Sequence, residues 1–243
     1  METPRSAPPK PISPIWRPDL TRLPPLNAPR RFLRTSLRLL ALALVRGVMR
    51  PNFQGLQHLP RSGPALIATN HLGDADVALI LAALPRPAEA LGKIDLLTEY
   101  PLLWKLMDWY GMIWVHRGRV DRRALACAVE ALHDGRYVVI APEGRYTLAS
   151  GLEKGGFGAA YVALHAGVDV TPMALTGTQN ANVYGHLRRL KRPTVSLAAG
   201  EPLHFAGDDS RGSLRDATKQ IMDAIARLLP PADRGAYGGR HGG

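Results

Sequence analysis

Cysteine is nearly absent from the sequence. Cys127 stands alone, which excludes an intrachain disulfide and any zinc site built on several cysteines, and suits the chain to a reducing compartment. It falls in the helical pattern RRALACAVEALHDG, where it reads as a small buried hydrophobe. Residues 1–29 lack the short basic start, apolar run and small-residue cleavage site of a secretory signal. Dense groups of metal ligands are also missing, because His58, His133, His165, His186, His204 and His241 are scattered along the chain. No metal or cofactor is therefore expected.

Acidic side chains are scarce at the amino terminus, where residues 1–50 carry ten Arg or Lys against only Glu2 and Asp19. The net charge of +11 is thus mostly amino-terminal, and the rest of the chain holds 21 basic against 18 acidic residues. A nearly balanced body argues against nucleic acid as a partner. The basic arm calls for an anionic one, either a membrane surface or a phosphorylated substrate. With 243 residues, 46% of them hydrophobic, the chain can enclose the core of one α/β domain.

Residues 1–29 are rich in proline and show no apolar periodicity, which predicts a disordered or extended arm. From 30 to 50 the text becomes RRFLRTSLRLLALALVRGVMR and is stopped by Pro51. At about 100° per residue, Leu33, Leu37, Leu40, Leu44 and Val48 share one stripe, while Arg30, Arg34, Arg38, Arg46 and Arg50 fall away from it. Its uninterrupted apolar run, LLALALV, is well short of the roughly 18 residues needed to cross hydrocarbon. Such a helix either packs on its own domain or lies on a bilayer, where each basic residue near the surface adds about 1 kcal/mol of attraction to anionic headgroups. We expect the bilayer, and a peripheral position on the cytoplasmic face of a membrane.

Between 51 and 230, short β-rich runs alternate with helical patterns. GPALIATN, KIDLLTE, GMIWVHR, RYVVIAPEG, VDVTPMALTG and PTVSLAAG read as strands. Helices are expected from about Asp74 to Leu84, over PLLWKLMDWY, from Asp121 to Asp134, over GGFGAAYVALHAG and from about Ser213 to Leu229. This order predicts an α/β fold with a central, largely parallel or mixed sheet flanked by helices on both faces, preceded by the amphipathic helix. Residues 231–243 read as a flexible tail. In such folds ligands lie beyond the carboxyl ends of the strands, so chemistry is sought there.

The strand PALIAT runs straight into NHLGDAD. Asn70 and His71 fall at its end, and Asp74 and Asp76 in the first turn of the next helix. On a regular helix positions five apart diverge by about 140°. With His71 still in the turn, the chain can fold back so that the Asp76 carboxylate reaches the imidazole, making a general base and its orienter. The same residues also fit a plain helix start, with Asp74 as N-cap, Asp76 as a first-turn acid and His71 in the loop. Three other strand ends carry polar or Gly/Pro signals. They are GMIWVHRGR with His116, Arg117 and Arg119, VVIAPEGRYT with Glu143, Gly144 and Arg145, and VDVTPMAL, whose Pro172 implies an edge, a bulge or a strand end.

In order, NH-x4-D, G-x5-R, PEG and V-x-P-x-A-L resemble the four blocks of the glycerolipid acyltransferase family that includes the 1-acylglycerol-3-phosphate (lysophosphatidate) acyltransferases, over roughly Leu56 to Leu203. The resemblance implies that His71 is the catalytic base and Asp76 its orienter. It implies that Arg117, Glu143, Gly144 and Arg145 bind the acceptor, with Lys154 reaching acceptor or donor phosphates. A phosphate dianion in a partly desolvated cleft suits the guanidinium fork of arginine. The chain departs from the family's common PEG-Thr-Arg-Ser, since Arg145 follows Gly144 directly and Tyr146 comes next, and Gly73 stands where serine is frequent.

The resemblance further implies transfer of a fatty acyl group from a thioester, acyl-CoA or acyl-ACP as co-substrate, to a hydroxyl of lysophosphatidate or a related lysolipid in phospholipid biosynthesis. The expected partners are a lysophospholipid acceptor, the thioester donor and an anionic membrane surface. Backbone amides near Gly73 or Gly144 are candidate oxyanion donors. A catalytically silent lipid-binding protein of the same fold, an acyltransferase for another acceptor and a hydrolase activating water are the alternatives.

Overall fold

The chain leads from α1 (Ala28–Val48) into β1 (Arg50–Gln54) and β2 (Ala65–Thr69), then through α2 (Ala75–Ala83), β3 (Ala88–Lys93), the single-turn α3 (Leu96–Glu99) and α4 (Pro101–Tyr110). It continues through β4 (Ile113–Val115), α5 (Arg122–His133), β5 (Tyr137–Ile140), α6 (Gly158–Ala166), β6 (Val170–Thr176), α7 (Asn180–Leu187), β7 (Thr194–Ala199) and α8 (Arg211–Leu228). The computed structural model describes residues 9–148, 151–206 and 210–238. The strands form one sheet in the order β1-β7-β6-β2-β5-β3-β4, parallel throughout except that β7 pairs antiparallel with β6.

Alternation along the strands makes two cores. Leu66, Ala68, Val138 and Ile140 face Ala128, Ile221, Met222 and Ile225 on the side of α5, α6 and α8. Ile67, Tyr137, Met173 and Leu175 face Val45, Leu79 and Leu84 on the side of α1 and α2. Cys127 is buried in the first core, and burial pushes its thiol up, away from the reactive thiolate.

Pro172 lies inside the sheet and still fits, because its carbonyl accepts from Gly200 N just past the last residue of β7. The amide it lacks faces the side where that ladder has ended. The run KIDLLTE is not a strand. Leu96–Glu99 is a helical turn, and the strand lies earlier, over AEALGK, a stretch too poor in β-branched residues to be read as one. β1 and α7 carried no recognisable signal either.

Residues 9–27 form an extended strap hydrogen-bonded to the body. Ser13 N donates to Arg117 O, Thr21 Oγ1 to Trp114 O, and Arg136 Nη1 to Pro24 O. Prolines fix φ and so lower the entropy lost when such a segment is laid down. Nor is 231–238 a loose tail. Its two 3-10 turns, Pro231–Asp233 and Gly235–Tyr237, exchange backbone hydrogen bonds with Leu152.

α1 is turned differently from what its apolar stripe suggests. The face packed on the body runs through Arg34, Ala41 and Val45, and Arg34 reaches the buried carboxylate of Glu89 at 2.7 Å while Arg38 donates to Leu84 O. Leu40, Leu44 and Val48 of the predicted stripe face outward, together with Phe32 and Leu39. Two arginines expected to approach headgroups are therefore structural. Arg31, Arg46 and Arg50 stay exposed.

Candidate active site

His71 sits at the carboxyl end of β2, where the loop after β5 holds its backbone at both the amide and the carbonyl. Its amide donates to Glu143 Oε1 at 3.2 Å, and its carbonyl accepts from Thr147 N at 2.7 Å. Asn70, just before it, fills the end of the ladder with β6 by bonding both the amide and the carbonyl of Leu175. The imidazole is thus carried on a rigid strand end.

The turn folds back as the spacing allows. His71 Nδ1 lies 2.7 Å from Asp76 Oδ2, which also accepts from the amides of Leu72 and Gly73. Asp76 is buried, while the His71 side chain keeps 29% of its surface exposed. A carboxylate can only accept, so Nδ1 carries the proton and Nε2 is left as the basic nitrogen.

Asp74 does not cap α2. It instead accepts from the hydroxyls of Tyr146 and Tyr184 and from Asn180 Nδ2, while its own amide donates to Asn180 Oδ1. Gly73 makes this junction possible, since a Cβ there would fall 2.5 Å from Asn180 Oδ1 and 2.6 Å from Thr178 O. Tyr146 then meets the His71 ring edge-on, centroids 4.3 Å apart. Burial, helped by the bond to Asp74, pushes its hydroxyl well above the usual tyrosine range, so it stays protonated. Sequence reasoning missed this wall of the site, although Tyr146 was visible as a departure from the third block.

We expect Tyr146→Ala to lower kcat roughly ten- to hundredfold by freeing the imidazole, with KM little changed. Tyr146→Phe, which keeps the ring, should stay close to wild type. Steady-state kinetics of the two variants check this.

The residues carried over as acceptor-binding are close to His71 but mostly engaged with the chain itself. Glu143 is buried and accepts from His71 N, Thr147 Oγ1 and Glu153 N, so it organises two loops and offers little to a ligand. Burial pushes its carboxyl up, against the pull of these donors. Arg117 gives two nitrogens to Asp95 Oδ2, at 2.6 and 3.1 Å. Arg145 is buried against Glu153 at 2.7 Å, and Gly144 adopts φ +71°, which favours glycine. Lys154 is exposed, with no ion pair to a described residue. Of the amides expected near Gly73 and Gly144 for an oxyanion, Gly73 N donates to Asp76 and Gly144 N to Ala141 O.

The spacing H-x4-D occurs three times, the third, His204 to Asp209, reaching outside the described residues. His116 Nδ1 lies 2.9 Å from Asp121 Oδ2, but its Nε2 accepts from Arg17 N at 3.0 Å and the ring is buried beside Trp16. This second pair anchors the strap and has no nitrogen to offer a substrate. A cavity of about 160 Å³ lies at this end of the strands, lined by Asn70, Leu72, Thr147, Leu152, Leu175 and Gln179 among others but by neither His71 nor Asp76. A larger one of about 410 Å³ lies by Pro64 and Asp169, at the opposite end of the strands. Among the described residues no group of His, Cys, Asp and Glu side chains is placed to hold a metal ion.

A family model described as acyltransferase matches residues 50–176. A lyso-ornithine lipid O-acyltransferase of Pseudomonas aeruginosa is 29% identical over 184 residues, covering 69% of this chain and 70% of that protein. A 1-acyl-sn-glycerol-3-phosphate acyltransferase of Chlamydomonas reinhardtii is 30% identical over 71% of this chain, and a chloroplastic one of Arabidopsis thaliana 27% identical over 74%. The matched regions span about half the length of these two, 50% and 51%. The crystal structure of the 1-acyl-sn-glycerophosphate acyltransferase PlsC of Thermotoga maritima shares the fold, with a TM-score of 0.62 at 20% identity, over 82% of this chain and 80% of that one.

Proposed function

We propose that this chain, which belongs to the acyltransferase family, moves a fatty acyl group from a thioester to a hydroxyl of a lysolipid, in lipid biosynthesis at a membrane surface. The observation that carries the reading is the 2.7 Å bond from His71 Nδ1 to the buried Asp76, which leaves Nε2 of the partly exposed ring as the basic nitrogen. The acceptor hydroxyl gives its proton to Nε2 as its oxygen attacks the thioester carbonyl. Asp76 stabilises the imidazolium so formed. The tetrahedral intermediate collapses by breaking the C–S bond, and the imidazolium returns its proton to the leaving thiolate, giving an ester and a free thiol. Acyl-CoA and acyl-ACP both fit this scheme.

Lysophosphatidate and lyso-ornithine lipid, the acceptors of the similar enzymes' names, are the two acceptors to compare. The test is to supply the purified chain with each donor and acceptor and identify products by mass spectrometry. Absence of any acylated lysolipid would remove the proposal.

The outward face of α1 supports a position on a membrane. Phe32, Leu39, Leu40 and Leu44 are exposed there, and Leu102 and Trp109 are exposed on α4, which packs against α1. Among the described residues no helix is long and apolar enough to cross a membrane. Burying one leucine contributes about 1.5–3 kcal/mol. Leu40→Glu combined with Leu44→Glu should therefore weaken binding to vesicles containing anionic lipid by more than about a hundredfold. Flotation of both forms checks this, and equal binding would place the contact elsewhere.

A further inference from the structure

α7 ends in a turn that its sequence does not suit. Lys191 N donates to His186 O and Leu190 N to Leu187 O, both at 2.9 Å, the pattern that closes a helix through one residue in left-handed conformation. Glycine normally stands at that position, because a Cβ is strained there. Here it is Leu190, at φ +53°, the only residue other than glycine with a left-handed φ among those described. Its side chain is 96% exposed, so packing within the fold does not offset the strain.

The turn is also strongly cationic. Arg188, Arg189 and Lys191 flank the leucine, are exposed and form no ion pair among the described residues. The sequence has no acid from 170 to 200 and none from 20 to 73. The fold joins these two stretches, since Arg50 of β1 pairs with Thr194 of β7, and Arg192 donates to Arg46 O and Met49 O at the end of α1. The exposed Arg46 and Arg50 thereby stand with the cations of the turn, on a stretch of α1 where Leu44 and Val48 are exposed as well. β7 runs antiparallel to β6, so it begins where β6 and its neighbour β2 end, at the edge of the sheet that carries His71.

We propose that the turn after α7 is a second membrane anchor, in which Leu190 inserts among acyl chains while Arg188, Arg189 and Lys191, with Arg46 and Arg50, hold anionic headgroups. The inference rests on the reading that α1 lies on a membrane, and adds the element that selects anionic lipid and turns the His71 edge toward it. A bilayer suits both features of the turn, because apolar insertion and attraction to anionic headgroups act at the same surface. The strain at Leu190 is then kept for a contact outside the fold.

The test is flotation of the full chain on phosphatidylcholine vesicles with and without phosphatidylglycerol. Wild type should bind the anionic vesicles, and less so at high salt. Leu190→Asn should weaken binding about tenfold or more while the melting temperature holds or rises, because asparagine tolerates left-handed φ. Leu190→Phe should bind at least as well as wild type. Arg188→Gln, Arg189→Gln and Lys191→Gln together should weaken binding about a hundredfold, near fivefold per charge, and flatten its salt dependence. Unchanged binding in Leu190→Asn or in the triple variant, where Leu40→Glu with Leu44→Glu abolishes it, overturns the inference and leaves α1 on the membrane. Wild type that binds neither vesicle removes both. A triple variant that binds vesicles normally but shows a raised KM for acyl-ACP alone gives the turn to an acidic carrier protein and also overturns the inference.

Discussion

Alanine in place of His71 is expected to lower acyl transfer about 10²–10⁴-fold, the range a positioned general base supplies, with the melting temperature little changed. The ring is partly exposed, and the loop around it is held by backbone bonds to Glu143 and Thr147, so the fold does not depend on the imidazole. Asp76→Asn should cost a comparable factor for a different reason. Asp76 Oδ2 accepts from His71 Nδ1 and from two amides, and Oδ1 is buried without a partner. An asparagine must bury an amide group where nothing accepts it, or turn it toward the imidazole and impose the wrong tautomer, and it removes the charge that steadies the imidazolium. Single-turnover rates with a labelled donor measure both variants. A His71→Ala protein that transfers acyl groups at the wild-type rate would end the mechanism given above.

The largest effect on stability should come from Glu89. It is wholly buried on β3 and faces Arg34 at 2.7 Å and Arg136 at 3.3 Å, with Arg34 also lying over the Tyr110 ring at 4.8 Å. Glu89→Ala leaves the buried Arg34 guanidinium without its carboxylate, which costs about 3–5 kcal/mol in comparable cases. Because Arg34 belongs to α1 and Arg136 also holds Pro24 of the strap, the loss should be felt first as release of the amino-terminal segment. Replacing both partners, Arg34→Met with Glu89→Leu, should recover most of the stability, because hydrophobic residues of similar volume remove the desolvation cost along with the attraction. Urea unfolding followed by circular dichroism checks the order. If Glu89→Ala and the double variant unfold alike, the pair is not what fixes α1.

Much of the fold was legible because it depends on local pattern. The continuous apolar strands of β2, β5 and β6 and the amphipathic repeats of α5 and α8 each follow from burial of one face or of two. The elements that were missed have weak patterns. β3 carries Glu89, whose burial makes sense only when arginines from α1 and the start of β5 arrive, and α7 is mostly polar. The direction of α1 was also hidden, since an arginine face packs inward once a buried carboxylate awaits it.

The sequence alone determined that a histidine and a carboxylate five positions apart would fall at the end of a parallel strand, because period and strand order are local. The spacing to an aspartate is shared by His71, His116 and His204, and the choice of His71 came from the resemblance of its block to the family's. Tertiary structure supplies the physical reason by laying the strap's Arg17 amide on the His116 Nε2 and leaving the His71 ring partly exposed, and it matched Arg117 and Arg145 with acids. The strap's contact joins residues 99 positions apart, and even the pairs of Arg117 and Arg145 with acids 22 and 8 positions away form only once the sheet has brought its loops to one edge.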